Sequence, residues 1–436
     1  MGNAVKPAGA LPAPGTKVRV PTLDGVRGLA AVGVLVYHVA FISGVSAWMG
    51  QPGAGIWGLV SNGLAVCLGP LFVLSGMLLF RGFARSVITG APKPAVGSFL
   101  TRRALRILPA YFLLVVADLL LLNLRSIDGV WYVLRPFLLF HFFWPDGISM
   151  AGMEPTWTVP AEMTFYLLIP VVAWIGARHA RKASTPGARA RRLVLPLAVF
   201  TLIGFAWTAM AYLPALGTDV FYLSFWPFGY FSLFAAGMFL GTLSAYSQAV
   251  DRPPAVYRLI VRHPNLCWLL ALGVYVVNLP EFFGHPGMGD YGALAQEMLA
   301  LVFITVFAVL IVAPLTVPGV RSRLIDGVLT NRPVRFLGRI SYGIYLWHLL
   351  MIYLWFGNGS VFGKAPDPLL GLRGQAGFWP LLAFVLGGSI VAATISYVLV
   401  ERPANALAQR LGRDRVPAPP VVVPPAKPAE PDERAA

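Results

Sequence analysis

The chain has 436 residues, 57% hydrophobic and 12% charged, with a mean hydropathy of +0.70. A soluble domain carries about a quarter charged residues, so this composition excludes one built around an ordinary core. The formal net charge of +16 raises the question of nucleic acid, but its distribution argues for membrane topology instead.

The first twenty residues are rich in Pro and Gly, with scattered Lys6, Lys17 and Arg19 and no apolar stretch of their own. They are expected to form a flexible cytoplasmic arm without a cleavable signal. Apolar segments then recur at 28–47, 56–80, 107–124, 156–176, 193–215, 221–245, 266–280, 294–317, 340–357 and 378–400. Each approaches the roughly twenty residues that a helix needs to cross a bilayer. The fold expected is an all-α, polytopic membrane bundle of about ten transmembrane helices. A further apolar stretch, 130–144, is short and holds Arg135, Pro136 and His141, which suits an interfacial or re-entrant segment. Beyond the last span, a transmembrane domain at 21–405 gives way to a Pro-rich cytoplasmic tail at 406–436, expected to be disordered.

Orientation follows from the loops. With the N-terminus inside, basic residues number three before Arg27, then six in 81–106, six in 178–192, three in 252–262, five in 321–339 and six in 402–434. The other side holds only Arg125, Arg135, Lys364 and Arg373. That asymmetry predicts a multi-pass protein of the cell (inner or plasma) membrane with both termini cytoplasmic. Cys67 and Cys267 sit in or beside apolar segments without metal or disulfide spacing, and the sequence sets no oligomeric state.

A titratable group at bilayer depth is costly and is therefore a functional candidate. Arg27 and His38 lie eleven residues apart on one helix face, about 16 Å along the axis. An anionic ligand held by Arg27 could extend an arm to His38, where imidazole suits a general base; the plainer alternative is a core histidine donating to a backbone carbonyl. Glu162 lies about one and a half turns into the fourth span, where it could orient an imidazole or an acceptor hydroxyl, or simply pair with an Arg or Tyr. Ser341, Tyr345 and His348 form one polar stripe on the ninth span, more suited to lining a site than to chemistry. Arg102, Arg103 and Arg106 could present forked donors to phosphate, although such clusters also flank ordinary spans.

These residues resemble the motifs of the membrane-bound acyltransferase 3 family, whose members O-acylate carbohydrates and antibiotics. LDGVRGLAAVGVLVYH resembles its opening motif through Arg27 and His38, GPLFVLSGMLLF its second-helix motif through Ser75 and Gly76, and FLTRRALRILPAY its basic motif through Arg103, Arg106 and Tyr111. PTWTVPAEMTFYLLIP is similar to the family's Trp and Glu segment, with Trp157, Thr158, Glu162 and Tyr166, and ISYGIYLWH to its late segment, with Ser341, Tyr342, Tyr345 and His348. VERP at Glu401 resembles the usual ending. Thr158 stands where Ser is usual, and Pro160 where a small polar residue is common; Pro in the first turn costs little.

The resemblance implies an O-acyltransferase using acyl-CoA, chiefly acetyl-CoA, as donor substrate, with no metal. Arg27, Arg103, Arg106 and Tyr111 would bind the donor, His38 and Glu162 would be catalytic, and Ser75, Trp157, Thr158, Tyr166, Ser341, Tyr342, Tyr345 and His348 would line the site. Membrane lipids and a carbohydrate or glycolipid acceptor are the expected partners. Arg outnumbers Lys by 28 to 6, a hint of a GC-rich bacterium with a complex envelope that favours an envelope glycan over a macrolide-type metabolite. A transporter of an acyl carrier or glycolipid, and a scaffolding subunit, are the rivals from other classes.

Overall fold

The computed structural model describes residues 21–47, 53–143, 150–217, 221–250, 253–279, 290–317, 320, 322–357 and 362–413. The arm expected at 1–20 and most of the tail, 414–436, lie outside the described residues. The order of α-helices is α1 (Pro21–Ile42), α2 (Gly55–Gly63), α3 (Leu68–Thr89), α4 (Val96–Asp118), α5 (Val130–Phe137), α6 (Thr158–Ala180), α7 (Pro186–Ala211) and α8 (Phe231–Ser247). Then follow α9 (Ala255–Arg262), α10 (Leu266–Val277), α11 (Tyr291–Thr316), α12 (Arg323–Thr330), α13 (Arg332–Phe356), α14 (Phe378–Ser396) and α15 (Arg402–Arg413). Among the described residues there is no strand, and the bundle is all-α.

Eight helical stretches are long and apolar enough to cross a membrane: Pro21–Ile42, Gly55–Thr89, Val96–Ser126, Glu154–Ala180, Pro186–Ala211, Pro227–Ser247, Tyr291–Thr316 and Phe378–Leu411. Helices α9 and α10, bent 90° at their junction, make a ninth only if taken as one broken span. The remaining predicted segment belongs to α13, whose first turns carry Arg332, Arg335 and Arg339, leaving 340–356 as its apolar part. This helix is central, since every residue from 343 to 350 is buried. Protein, not lipid, is its solvent, so it can hold Tyr345 and His348 without facing them to hydrocarbon. α5 is too short to span, and two residues beyond its end Leu139 takes a left-handed conformation (φ 65°). α15 runs continuously to Arg413, so the boundary expected at 405 divides a helix whose register Pro403, in its first turn, does not break.

Glycines set the closest crossings. On α1, a Cβ at Gly28 would lie 2.7 Å from the Gly338 nitrogen of α13, and one at Gly338 would collide with the Asp24 carbonyl oxygen. A Cβ at Gly76 of α3 would meet the Phe234 carbonyl oxygen at 2.5 Å, and Gly237 of α8 faces the Val73 carbonyl in return. Small residues let backbones approach in this way, which replaces the hydrophobic drive that lipid removes.

Contacts at one end gather the basic segments: Arg189 donates to the Ile88 carbonyl, Tyr257 bonds Thr316, and Ser322 donates to Asn265. At the opposite end, Arg373 donates to the carbonyls of Phe41 (2.7 Å) and Ser46 (2.5 Å), and Gly374 N–H donates to Ile42 O (2.7 Å). The segment around 362–377 thereby straps the C-terminus of α1, whose last carbonyls have no helical partner.

The α1–α13 approach predicts an asymmetry between two identical substitutions. Gly28→Ala is expected to cost about 1–3 kcal/mol by overpacking. Gly387→Ala, in α14 with nothing within 4 Å of the added Cβ, is expected to be neutral or to gain up to about 1 kcal/mol from helix propensity. Unfolding of the purified variants in detergent checks this, and equal effects would refute the close-approach account.

Candidate active site

The crossing of α1 over α13 carries two histidines to each other. His348 Nε2 lies 3.1 Å from His38 Nδ1, with ring centroids 4.9 Å apart. His348 is fully buried, and its Nδ1 is 2.6 Å from the Tyr345 carbonyl oxygen. A carbonyl only accepts, so Nδ1 of His348 carries the hydrogen and Nε2 of the neutral ring is left as an acceptor. His38 Nδ1 then faces two acceptors, His348 Nε2 and the Val34 carbonyl at 3.0 Å, and must itself be protonated. The lone pair of His38 therefore sits on Nε2, the atom neither partner uses. The backbone bond that made a plain core histidine the alternative is present, and it is part of what fixes this tautomer.

His38 is half-buried, because one side of it opens on a cavity of about 1230 Å³. Tyr345, Leu349 and Tyr353 line that cavity along one face of α13, and Trp157 and Tyr230 line it from another wall. Trp157 stacks on Tyr230 with centroids 4.3 Å apart. Tyr345 donates its hydroxyl to the Pro155 carbonyl (2.7 Å), tying α13 to the turn that begins α6. Thr158 donates to the same carbonyl at 3.3 Å, so the hydroxyl kept at this position caps the turn.

A second cluster occupies the basic end. Arg27 lies within electrostatic reach of Asp24, Arg103, Arg106 and Glu162, and Arg103 of Tyr166 and Glu162. Glu162 accepts from Ser75 at 3.2 Å and from Tyr166 at 3.0 Å. Three guanidinium groups gather here, with Asp24 and Glu162 beside them, and guanidinium forks are suited to phosphate. Glu401, which the VERP motif carries, is buried and acts electrostatically on Arg106. Arg102 instead donates to Ser98 on its own helix.

The expected residues therefore divide into two groups. His38, Tyr345 and Trp157 line the cavity, with His348 buried behind His38; Arg27, Arg103, Arg106, Glu162, Ser75 and Tyr166 meet at the basic end. No hydrogen bond joins His38 to Glu162 among the described residues; the partner of His38 is His348. Ser341 bonds its own helix at Gly338 O, and Tyr342 donates to Ile107 O at 3.1 Å, fastening α13 to α4. Tyr111, expected at the donor, is fully buried and donates to Pro136 O at 2.7 Å. In this structure its hydroxyl is committed to tying α4 to the end of α5. Sequence reasoning missed Glu154, which accepts from Tyr353 at the cavity wall; Glu154 stands just ahead of the sixth helix, outside any resembling motif. Among the described residues no group of three or more His, Cys, Asp or Glu could hold a metal ion.

The cavity wall has its own support. His141 Nε2 lies 2.8 Å from Thr156 Oγ1, whose hydrogen goes to the Met153 carbonyl at 2.6 Å. His141 must donate there, leaving Nδ1 bare, and Nδ1 has no partner. Burial, and secondarily Arg135, pushes this imidazole down to about 3.

Comparison with known proteins follows the same lines. The profile of an acyltransferase domain matches residues 20–401. The peptidoglycan O-acetyltransferase OatA of Listeria monocytogenes is 24% identical over 408 residues, 88% of this chain and 55% of the relative. An acyltransferase of Streptomyces mycarofaciens is 26% identical over 413 residues, 91% of this chain and 94% of that one. The chain thus spans about half the length of the peptidoglycan relative. No solved structure matches it.

The state of His141 fixes the sign of a pH effect. A histidine held neutral in the fold and titrating near 6.5 when unfolded contributes stability above about pH 6.5. That contribution is lost as the pH falls from about 6.5 toward about 3. Unfolding of the wild type in detergent should therefore become easier across that window, and His141→Gln should flatten the dependence. An unchanged slope in the variant would disprove the assignment.

Proposed function

The chain belongs to the acyltransferase 3 family, and we propose that it transfers an acyl group, chiefly acetyl, from cytoplasmic acyl-CoA to a hydroxyl of an envelope glycan or glycolipid. The observation that carries this reading is the His38–His348 pair at the cavity, with one unshared imidazole nitrogen. Arg27, Arg103 and Arg106 make the basic end the entrance for the donor's phosphates. The positive-inside bias supports a cytoplasmic position for that end and for both termini, in the cell's plasma membrane. The donor's thioester arm would run along α1, about 16 Å from Arg27 to His38.

The chemistry then needs little more than positioning and one proton. His38 Nε2 takes the acceptor's hydroxyl proton as that oxygen attacks the thioester carbonyl carbon. The tetrahedral adduct collapses with cleavage of the C–S bond. The proton passes from the imidazolium to the departing thiolate, and the ring ends neutral. While His38 is cationic, its Nδ1–H is drawn toward His348 Nε2, so His348 is a positioning residue that holds the reactive tautomer. Glu162, bonded to Ser75 and Tyr166, keeps the three arginines together and oriented.

The test uses purified protein in proteoliposomes with labelled acetyl-CoA and an envelope glycan and lipid extract, products being read by mass spectrometry. Label is expected in an O-ester, and His38→Ala is expected to lower the rate by about 10²–10⁴-fold, the usual worth of a general base. Arg103→Gln should raise KM for the donor more than it lowers kcat. Undiminished product from His38→Ala would overturn the mechanism; movement of substrate across the bilayer without any ester would replace the enzyme with a transporter.

A further inference from the structure

Of the carboxylates that line the cavity, one stands at the depth of His38. The cavity face of α11 runs through Ala293, Gln296, Glu297, Ala300, Leu301 and Ile304, a single helical stripe, and Glu297 is the only acidic residue of that helix. A carboxylate on an otherwise apolar span is costly and points to a use. Glu297 is partly exposed, and no hydrogen bond reaches it from the described residues. Its oxygens are not among the fully buried polar atoms that lack a partner, so they keep surface, and the surface at Glu297 is the cavity's.

Packing fixes the depth. A Cβ at Gly33 of α1 would lie 2.5 Å from Cys67 Sγ, and one at Gly69 of α3 would lie 2.7 Å from Ile304 Cγ1 of α11. Gly69 is two residues closer to the basic end than Cys67, so Ile304 is level with Ala31 of α1. Helix α11 runs opposite to α1, since its N-terminal half and the C-terminal half of α1 line the same cavity. From that common level His38 (31 to 38) and Glu297 (304 to 297) each stand seven residues, about 10 Å, toward the strap. The register therefore brings Glu297 to the depth of His38, where Glu162 was expected.

The wall between them is aromatic. Tyr230 lies within electrostatic reach of both Glu297 and Tyr345. Tyr230 donates its hydroxyl to the Ser224 carbonyl at 3.1 Å, and Tyr345 donates to Pro155, so neither proton is available to Glu297. Trp157, stacked on Tyr230, adds a flat apolar face suited to the C–H face of a sugar ring. One turn deeper, α11 offers the cavity only Ala300, Leu301 and Ile304. At the level of His38 the cavity thus holds an unshared imidazole nitrogen and a carboxylate, acceptors for two hydroxyls of one molecule.

We propose that Glu297 is a specificity-determining residue that accepts a hydrogen bond from a second hydroxyl of the acceptor while His38 receives the first, so that the reacting unit is a polyhydroxylated sugar and not a lipid alcohol with a single hydroxyl. The inference rests on the acyltransferase reading and adds to it the residue that holds the acceptor and the least number of hydroxyls the acceptor must carry.

Initial rates of ester formation in proteoliposomes test it, with labelled acetyl-CoA, the envelope extract titrated as acceptor, and hexadecanol in the same vesicles as a single-hydroxyl competitor. The wild type is expected to label sugar-containing products at least about tenfold faster than hexadecanol, the worth of one good hydrogen bond. Glu297→Ala should raise KM for the extract by about ten- to a hundredfold, the range for a hydrogen bond to a charged group. KM for acetyl-CoA should stay as in the wild type, which also reports that the variant is folded. Glu297→Asp, which keeps the carboxylate, should recover part of the loss, whereas His38→Ala should lower kcat and leave the extract KM unchanged. Should Glu297→Ala fail to fold, the isosteric Glu297→Gln carries the same comparison with a smaller shift in the same direction. An unchanged extract KM in the Glu297 variants, a parallel rise in both KM values, or hexadecanol labelled as fast as the sugar products would each overturn the inference. If ester formation still depends on His38 in those cases, the enzyme reading stands without it; if the wild type forms no ester, that reading fails first and the inference with it.

Discussion

Everything at the site depends on two backbones touching. Gly28 and Gly338 permit α1 and α13 to cross at a separation that any side chain would forbid, and the two histidines meet further along the same pair of helices. In a bilayer there is no water to expel between helices, so such contacts rest on van der Waals fit and on hydrogen bonds. The imidazole pair uses both. Its hydrogen bonds run in one direction, from His38 to His348 and from His348 to the Tyr345 carbonyl, and that direction leaves the lone pair of His38 on Nε2.

The bundle around this crossing is divided by charge. Guanidinium groups collect at one end, while aromatic rings line the cavity that His38 opens on. The arginines are costly groups to hold near apolar surroundings, and Glu162 and Glu401 are placed to offset them. Around the cavity the supporting bonds reach backbone carbonyls from side chains distant in sequence, as Tyr345 to Pro155 and Tyr111 to Pro136 do.

Much of this was legible in the residues. The 3.6-residue period places Arg27 and His38 on one face, and the apolar runs locate the spans. Glu162 among arginines and a tyrosine follows from the cost of a lone carboxylate at depth. The pairing of His38 with His348 was not legible, because 310 residues separate them and nothing local encodes which helices cross. α13 also disguises its place: its charged stem looks like a span's flank, whereas its buried middle makes it the centre of the fold. The bond of Tyr111 to the Pro136 carbonyl was not legible either, because motif membership does not say which way a side chain points. Glu154 escaped notice because a carboxylate at the edge of a span resembles any loop residue until Tyr353 is seen to hold it.

The strap that Arg373 makes across the end of α1 bears on how such a scaffold can diversify. Because the helix carrying His38 is anchored from outside the bundle, through carbonyls that any sequence supplies, the rest of the segment between α13 and α14 can be rewritten wherever it keeps the Arg373 and Gly374 contacts. The histidine's depth would stay fixed while the rim of the cavity changed shape. A fold arranged in this way separates the anchoring of one helix from the shape of the rim around the cavity.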